Sequence, residues 1–453
     1  MLSYSTLLVF FTFAMFYLFK IQWQRAQKPE QPSLLPGPKP WPIVGNLPEL
    51  IINKKKTSIN LIMCQHVHVI PITCTKISLQ FLRKQDAIFA SISLTMATDV
   101  LSKGTYQWRK MKRVMVNVML SQERHRWLHE KRVEEADSLV LYVLNRWKNG
   151  DEGGLVDLRL VAQHYCCNVT RKLIFNRRYL GEGKADGGPG FEEEEYIDTI
   201  FAFVIHLYSF CISDYLPFLR GLGLEGHEKI VEDATRRDGK KHESQDLLDV
   251  FVSLTDDSGT PLLSADEIKA QVNVRNYDYS MDNPSNNLEW ALAEMLNNPE
   301  TLEKARDELD TVVGKDRLAC AREAFRLHPI AQFNPPHGSH VIINRVGIGR
   351  NPKVWDEPCE FKPELVLAEP DLRLFTFSRG RTGCPGVVLG SSMTTMMFAR
   401  PLQRFDWSIP TNQGTVDLCP GRGVPFLAKP LLAVAKPRLP PHVYSFSTES
   451  EIQ

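Results

Sequence analysis

The stretch FSRGRTGCPG, residues 377–386, places a single cysteine among three glycines, two arginines and a proline. The apolar run VVLGSSMTTMMFA follows it and predicts a helix, so Cys384 precedes a helix start, where backbone amides favour negative charge on sulfur. The glycines let the backbone pass close to a flat, bulky group, and Phe377 offers a ring to pack against it. These features predict a thiolate at Cys384 that binds the metal of a large planar cofactor.

Length and composition describe an ordinary globular chain with a substantial core. The chain has 453 residues, of which 43% are hydrophobic and 24% are charged. The formal net charge is +1, so no basic excess argues for a nucleic-acid partner, and none is expected. The nine cysteines form no C-x-x-C pair, which indicates a reducing compartment without a disulfide framework or a zinc site.

The N-terminus carries a long uncharged segment. Residues 2–19 contain no charged side chain, and as a helix they would reach ~27 Å, close to the thickness of a hydrocarbon core. We therefore predict a transmembrane anchor over residues 1–20. A cleaved signal peptide is the competing interpretation, but no basic region precedes the segment and no small-residue cleavage site follows it. Lys20, Arg25 and Lys28 follow the span and predict that the remaining chain faces the cytosol.

The rest of the chain divides into a tether and one large domain. Residues 21–48 are rich in proline, which resists helix formation and makes an extended, stiff tether. Residues 49–453 show no internal repeat and no second domain boundary, and we predict that they form a single domain.

Helical patterns dominate this domain. Residues 124–150 form a long amphipathic pattern that ends at a glycine. The sequence SADE at 264–267 is a capping box, and it predicts a helix that begins there and runs past Trp290. Pro284 would then lie in the middle of that helix. The predicted fold class is mainly α.

The cysteine motif carries a resemblance to a known family. The pattern F-x-x-G-x-x-x-C-x-G resembles the haem-binding loop of the cytochrome P-450 monooxygenases, in which a cysteine thiolate binds the iron. The resemblance implies haem b with Cys384 as its axial metal ligand. It also implies that Phe377, Gly380, Arg381 and Gly386 contribute to cofactor binding.

The resemblance has further implications for fold, partners and location. It implies the cytochrome P-450 fold, a helical haem-thiolate domain with small β-sheets, behind an N-terminal transmembrane helix. It implies that electrons come from NADPH through NADPH–cytochrome P-450 reductase. The protein is then expected in the endoplasmic reticulum membrane, spanning it once, with its catalytic domain in the cytosol.

Two other groups of residues follow the same family pattern. Trp108, Lys112 and Arg113 resemble the helix that contacts the haem propionates, where cations neutralise carboxylates. Taken alone, they are more typical of an ordinary amphipathic helix. Glu323 and Arg326 lie three apart and share one helical face. In the family such a pair is part of a buried charge network with a later arginine, whereas an isolated pair of this kind is usually a solvated surface.

A subgroup is identified by longer segments. They look like the plant amino-acid N-monooxygenases, which make aldoximes, and they cover residues 214–231, 282–300, 322–329 and 428–445. Asp282, Asn283 and Ser285 are the candidate catalytic residues, because the subgroup has them in the oxygen-activating groove. Pro284 lacks an amide proton and would kink the helix there, so that the neighbouring polar groups relay protons to bound oxygen. A plain helix break is the alternative.

The chain also departs from the family pattern. Thr382 stands where the family has a propionate-binding arginine or histidine, and Leu365 stands where it has the arginine that joins Glu323 and Arg326. Loss of one member of a buried charge network typically costs ~3–5 kcal/mol. This comparison predicts an incomplete network and a folding risk.

Family segments are also missing. The chain skips them between Ser102 and Trp108, between Leu318 and Ala319, and between His337 and Gly338. Pro401 is expected to interrupt the last turns of the helix after Cys384. In these respects the chain is similar to a truncated or decayed member of the family.

Three functions remain open at this stage. The first is a membrane-anchored haem-thiolate monooxygenase that N-hydroxylates an amino acid to its aldoxime. The second is a catalytically inactive, degenerate member that retains only the anchor and part of the fold. The third is a haem-thiolate isomerase, which needs no oxygen groove, since Asn283 replaces the usual threonine. The identity of the amino acid cannot be inferred, because the segment before Trp108 that would contact it is incomplete.

Overall fold

The structure is a computed structural model of the chain. It describes residues 63–64, 67–68, 70–87, 108–149, 153–175, 178, 183–208, 251–255, 258–264, 267–268, 282–311, 319–329, 341–364, 377–378, 380, 383–421 and 425–444. The chain divides into two compact units, Met1–His66 and Val67–Gln453. The predicted anchor and tether lie outside the described residues. Among the helices that are described, none is long and apolar enough to cross a membrane.

Helices make up most of the described structure, and the mainly α prediction is confirmed. In chain order they are α1 (Thr75–Leu79), α2 (Trp108–Val114), α3 (Gln122–Trp127), α4 (His129–Asn149), α5 (Leu158–Phe175), α6 (Phe191–Tyr208), α7 (Asp282–Asn297), α8 (Pro299–Thr311), α9 (Ala319–Leu327), α10 (Arg345–Gly349) and α11 (Val387–Arg404). Wider π-helical turns follow α1 and α2, at Gln80–Lys84 and Met115–Met119, and a 3₁₀ turn covers Pro441–Tyr444.

The strands are short. They are β1 (Met63–Cys64), β2 (Val67–His68), β3 (Ile70–Ile72), β4 (Leu155–Asp157), β5 (Val341–Ile343), β6 (Phe405–Ser408) and β7 (Leu432–Pro437). Strands β3 and β5 pair in parallel, with Ile70 opposite Val341. Strands β4, β7 and β6 form an antiparallel sheet in that order. Their buried side chains join those of α4, α5, α7 and α11 in one continuous apolar core.

The predicted helix starts are found with small adjustments. The amphipathic pattern at 124–150 forms two helices, α3 and α4, because the chain turns at Leu128. The capping box at 264–267 is present in both directions. The Glu267 N–H donates to the Ser264 hydroxyl at 3.2 Å, and the Ser264 N–H donates to the Glu267 carboxylate at 2.8 Å.

Helix α7 runs through the core and is buried on all sides. Every residue from 284 to 296 is buried, although several of them are polar. Glu289 illustrates how this burial is tolerated: its carboxylate accepts hydrogen bonds from the Arg159 side chain at 3.0 Å and from the Leu431 N–H at 3.0 Å. Burial raises the pKa of Glu289, and the positive charge of Arg159 opposes that rise. Polar groups of α7 therefore connect it to other elements instead of facing solvent.

Two prolines lie within predicted helices, and the structure decides the prediction for one of them. Pro284 is the third described residue of α7, and the kink predicted there stays a prediction. Residues 269–281, which the predicted longer helix includes, lie outside the described residues. Pro401 lies inside α11, which continues to Arg404, so the predicted interruption is wrong. Its carbonyl accepts hydrogen bonds from the Phe405 N–H and from the Trp407 indole, and these contacts keep the final turn in place.

A buried ion pair joins Glu323 and Arg326 on α9. The guanidinium contacts both carboxylate oxygens at 2.6 and 2.7 Å, and both side chains are 0% exposed. Its remaining N–H groups donate to the carbonyls of Gly349, Pro358 and Glu360 at 2.6 to 2.8 Å. All five N–H groups of Arg326 therefore have acceptors.

This arrangement bears on the missing arginine at Leu365, a residue that lies outside the described ones. Main-chain groups complete the network: besides the three carbonyls around Arg326, the Lys362 N–H donates to Glu323 at 2.8 Å. Glu323 and Arg326 therefore have partners within the described residues, whereas the effect of Leu365 on the network stays a prediction. Backbone carbonyls and amides are common partners of buried polar groups.

We expect Arg326→Lys to destabilise the fold by about 3–5 kcal/mol, because an ammonium has only three donors and cannot bind the carboxylate in the bidentate manner. Urea denaturation of the purified chain would measure the loss. Arg438→Lys is the matched control, since Arg438 contacts both oxygens of Asp310, which is exposed, and such a pair contributes ~1 kcal/mol or less. Equal losses in the two variants would contradict the assignment.

Candidate functional site

The predicted cysteine loop closes on itself directly before α11. The Cys384 N–H donates to the Phe377 carbonyl at 2.8 Å, and the Gly383 N–H donates to the Gly380 carbonyl at 3.1 Å. Gly386 caps α11, whose first residue is Val387. Cys384, which is half buried, therefore lies two residues before the helix cap, where the sequence places it.

Gly380 is required by its surroundings. Its φ is +66°, in the left-handed region that favours glycine, and a Cβ there would lie 2.1 Å from the Leu82 carbonyl oxygen. A Cβ at Gly386 would lie 3.8 Å from the Cys384 sulfur, which is an ordinary contact. The loop thus packs against the turn after α1 at Gly380, and it leaves more room near the sulfur.

Phe377 packs against the interior of the fold. Its ring lies edge-on to that of Phe325 on α9, with centroids 5.7 Å apart and planes inclined by 66°. A Cβ at Gly390 on α11 would lie 4.0 Å from the Phe377 ring. The ring therefore anchors the cysteine loop to α9 and α11, whereas its predicted contact with a cofactor stays a prediction.

The electrostatics around Cys384 combine burial with positive charge. Burial raises the pKa of the Cys384 thiol, while the hydrogen bond from the Gly386 N–H and the charges of Arg345 and Lys112 act in the opposite direction. The thiolate that the sequence predicts at this helix start therefore stays a prediction for the metal-bound site. A metal ion bound to the sulfur would deprotonate it.

Lys112 contacts the loop from α2, and Arg345 on α10 contributes positive charge that acts on Cys384. The Lys112 ammonium, on α2, donates to the Gly383 carbonyl at 3.0 Å. Burial lowers the pKa of Lys112, and the charge of Cys384 raises it. Arg345 is the first residue of α10, and its role was missed at the level of sequence because no motif spacing relates it to Cys384. Only the pairing of β3 with β5 could have indicated the position of Arg345, because β5 directly precedes α10.

The other predicted cofactor-binding residues are less fully placed. Trp108 begins α2, but its side chain is not among those that the structure describes. Arg113 is exposed on the same helix. Arg381 and Thr382 lie outside the described residues. Of this group, the structure thus brings only Lys112 into contact with the cysteine loop within the described parts.

The predicted oxygen-groove residues lie at the start of α7. Asp282 is its first residue, and its side chain is not described; Asn283 is half buried and Ser285 is buried. Helix α7 packs against α11, the helix that follows Cys384. The fold therefore places this group on a helix that packs against the helix that begins after Cys384.

The groups around Cys384 fit a metal whose other ligands come mostly from a cofactor and not from the protein. Within the described parts of the chain, no three His, Cys, Asp or Glu side chains are grouped so that they could hold a metal ion. The site instead offers one sulfur, a backbone N–H that donates to it, and two nearby cations. This combination suits an iron held by a macrocycle that carries carboxylates, as in haem.

Comparison with known families decides the assignment. The family model described as cytochrome P-450 matches residues 35–433 of the chain.

The chain belongs to the cytochrome P-450 family.

Relatives of this cytochrome P-450 include several plant enzymes. It is 46% identical to the phenylalanine N-monooxygenase of Prunus mume, over 90% of each chain. It is 45% identical to isoleucine N-monooxygenase 1 of Lotus japonicus, over 97% of this chain and 96% of the relative. It is 45% identical to the tyrosine N-monooxygenase of Sorghum bicolor, over 91% of this chain and 88% of the relative. The predicted resemblance to the plant amino-acid N-monooxygenases is confirmed.

Solved structures show the same fold. A zebrafish cytochrome P-450 with abiraterone has a TM-score of 0.65 to this chain at 20% identity, covering 86% of this chain and 99% of that one. The structure of a zebrafish cytochrome P-450 with progesterone gives the same values. The cytochrome P-450 fold, mainly helical with small sheets, is thereby confirmed for this chain.

The alignments also show that this cytochrome P-450 is shorter inside than its relatives. The alignment with the Lotus japonicus enzyme extends over 514 positions, more than the 453 residues of the chain. That relative therefore contains segments that this chain lacks. The three places where the sequence predicts such gaps, before Trp108, before Ala319 and before Gly338, fall at least partly outside the described residues.

We expect Gly380→Ala to destabilise this cytochrome P-450 by about 2–4 kcal/mol, because the methyl group adds left-handed strain and meets the Leu82 carbonyl. The variant should also lose haem faster during purification, which the ratio of Soret to protein absorbance measures. Gly187→Ala is the matched control. Its φ is +83°, but nothing lies within 4 Å of a Cβ there, so only the strain of ~1 kcal/mol is expected. Similar haem loss in both variants would show that the contact with Leu82 is not important.

Proposed function

We propose that this chain is a haem-thiolate monooxygenase that N-hydroxylates an amino acid on the way to its aldoxime. The observation that carries the proposal is the set of relatives at 43–46% identity. Each is named as an N-monooxygenase of an amino acid, and the alignments cover 88–96% of their lengths. The inactive alternative has no such support among these relatives.

The cofactor of the proposal is haem b, with Cys384 as the axial ligand. Haem with a thiolate ligand supplies the activation of O₂ for cleavage of the O–O bond. The Gly386 N–H donates to the sulfur and limits its basicity, and the nearby cations offset its negative charge. Lys112 and Arg113 on α2, with Arg381 in the loop, provide positive charge for the propionates.

Further residues of α2 and the loop complete the proposed cofactor site. Trp108 starts the helix and, by the family pattern, donates to a propionate. Phe377, Gly380 and Gly386 shape the loop around the sulfur, and the close contact of Gly380 with Leu82 fixes its backbone. Cys384 is only partly exposed, so this packing limits the access of water to the sulfur.

Proton delivery is assigned to the start of α7. Asp282, Asn283 and Ser285 supply a carboxyl, an amide and a hydroxyl in one helical turn, and groups of this kind hold and pass protons. Pro284 between them has no N–H of its own, so it does not compete for their hydrogen bonds.

The substrate class is an amino acid, and the relatives do not narrow it to one. They are named for phenylalanine, isoleucine, tyrosine, valine and tryptophan, which share the α-amino and α-carboxyl groups but differ in side chain. The class therefore follows from the group that the named reaction changes, the α-amino nitrogen.

Electrons are proposed to come from NADPH through NADPH–cytochrome P-450 reductase, at the endoplasmic reticulum membrane. The support for this location is the uncharged segment 2–19 with its basic flank. In this proposal residues 1–20 anchor the protein, residues 21–48 form the tether, and residues 49–453 form the cytosolic catalytic domain.

The purified full chain, supplied with reductase and NADPH, is expected to convert at least one proteinogenic amino acid to its aldoxime. Its reduced carbon-monoxide complex should show the red-shifted Soret band of thiolate ligation. Cys384→Ser should abolish both the band and the product, because a serine hydroxyl stays protonated and is a poor ligand for haem iron. A normal band without any aldoxime would favour the inactive alternative, and an unchanged band in the variant would remove Cys384 as the ligand.

Deletion of residues 1–28 is expected to release the protein from carbonate-washed membranes, because the only proposed span would be lost. Fractionation of cells that express both forms would measure this. Protease added from the cytosolic side should digest the full-length chain. If the truncated form resists carbonate extraction as well as the full chain does, the segment is not the anchor.

A further inference from the structure

Helix α2 also makes a contact through Lys110, a residue that is not part of the family pattern of this helix. The Lys110 ammonium lies 2.9 Å from each carboxylate oxygen of Glu267, far along the chain. Glu267 is 7% exposed, whereas the side chain of Lys110 is 38% exposed. The nearly buried carboxylate of Glu267 thus contacts Lys110 through both of its oxygens, while part of the Lys110 side chain remains exposed to solvent.

Hydrogen bonds within the capping box orient the Glu267 carboxylate independently of Lys110. It accepts the Ser264 N–H at 2.8 Å, and its own N–H donates to the Ser264 hydroxyl at 3.2 Å. The Ile268 N–H donates to the Ser264 carbonyl at 2.9 Å. Burial tends to raise the pKa of Glu267, but the hydrogen bonds from Lys110 and from Ser264 bring it below its usual value. The capping box therefore presents a fixed, ionised carboxylate to α2.

The two lysines of α2 hold the helix from opposite sides. Residues two apart in an α-helix project about 200° from each other. Lys110 contacts the capping box, and Lys112 contacts the Gly383 carbonyl next to Cys384 at 3.0 Å. Helix α2 therefore bridges the helix start at 264–268 and the cysteine loop.

We propose that the Lys110–Glu267 pair is a positioning device for the cofactor site: it sets α2 so that Lys112 reaches the loop of Cys384. The inference rests on the proposed function, because it concerns the retention of the haem-thiolate ligand. Neither residue contacts the loop itself. Their effect passes through α2, so they are positioning residues and not catalytic ones.

The alternative is that the pair only stabilises the fold. The exposure of Lys110 distinguishes this alternative from a positioning role. Because solvent screens the charge of Lys110, the pair contributes little to global unfolding. A small global effect with a clear effect on the ligand is the signature of positioning. Loss of the pair should leave the unfolding transition nearly unchanged, whereas the thiolate complex should become less durable.

The experiment uses the haem-loaded full chain and follows the reduced carbon-monoxide complex over time at fixed temperature. Glu267→Gln is the central variant, because glutamine still completes a capping box and only the charge pair is lost. Lys110→Met removes the other partner, and Lys110→Arg restores the charge. Asp310→Asn is the matched control, because it breaks the exposed contact with Arg438 on another part of the chain.

Glu267→Gln and Lys110→Met should each lose the red-shifted band about two- to fivefold faster than the wild type, in line with the strength of one partly exposed pair. The double variant should be no worse than either single one, because both remove the same interaction. Lys110→Arg should behave like the wild type, and so should Asp310→Asn. Circular dichroism melts of all variants should nearly coincide.

Unchanged band loss in the two single variants, additive loss in the double variant, or equal loss in Asp310→Asn would overturn the inference. A shift of the melts in proportion to the band loss would assign the pair to general stability and would also overturn it. The proposed function fails in a different way: the wild-type chain itself would then form no aldoxime, whether or not it shows the thiolate band.

Discussion

The buried guanidinium of Arg326 connects the parts of the molecule that meet below the cysteine loop. The guanidinium binds both oxygens of the Glu323 carboxylate and has no contact with solvent. Its charge is tolerated only because its other N–H groups donate to three main-chain carbonyls. Those carbonyls belong to α10 and to the segment after it. A Cβ at Gly349 would lie 2.2 Å from the Arg326 carbonyl oxygen, which shows how closely the two backbones approach.

The cysteine loop depends on this arrangement through its neighbours. Phe325, the residue before Arg326, contacts Phe377 at the start of the loop. The segment that surrounds the guanidinium also contains α10, whose first residue is Arg345, one of the two cations near Cys384. The buried Arg326 side chain thus connects two elements that support the loop. One is the helix that carries Phe325, and the other is α10, which carries Arg345. The sulfur is buried enough for its thiol to resist ionisation, and it is surrounded by the groups that would stabilise a metal-bound thiolate.

The shortened chain has to be understood in the same physical terms. The relatives contain segments that this chain lacks, yet the described core is continuous and its central helix is buried from residue 284 to residue 296. Inside that core the Glu289 carboxylate has partners on other elements, the Leu431 N–H and the Arg159 side chain. Substitution of a family arginine by Leu365 did not leave Glu323 or Arg326 unpaired, because backbone groups do not depend on the identity of the side chain. The missing segments therefore leave one continuous apolar core in the described parts.

The sequence by itself determined the features that depend on local chemistry. The cysteine motif predicted the loop before α11, SADE predicted the capping box at Ser264, and helical periodicity predicted a mainly α fold, because each follows from hydrogen bonds and side-chain directions within a few residues. The tertiary structure alone decided the contacts between distant segments: the carbonyls around Arg326, the approach of Arg345 to Cys384, and the pairing of Lys110 with Glu267. It also decided that α11 continues past Pro401. Burial and long-range charge are properties of packing, and packing brings together residues whose spacing along the chain carries no signal.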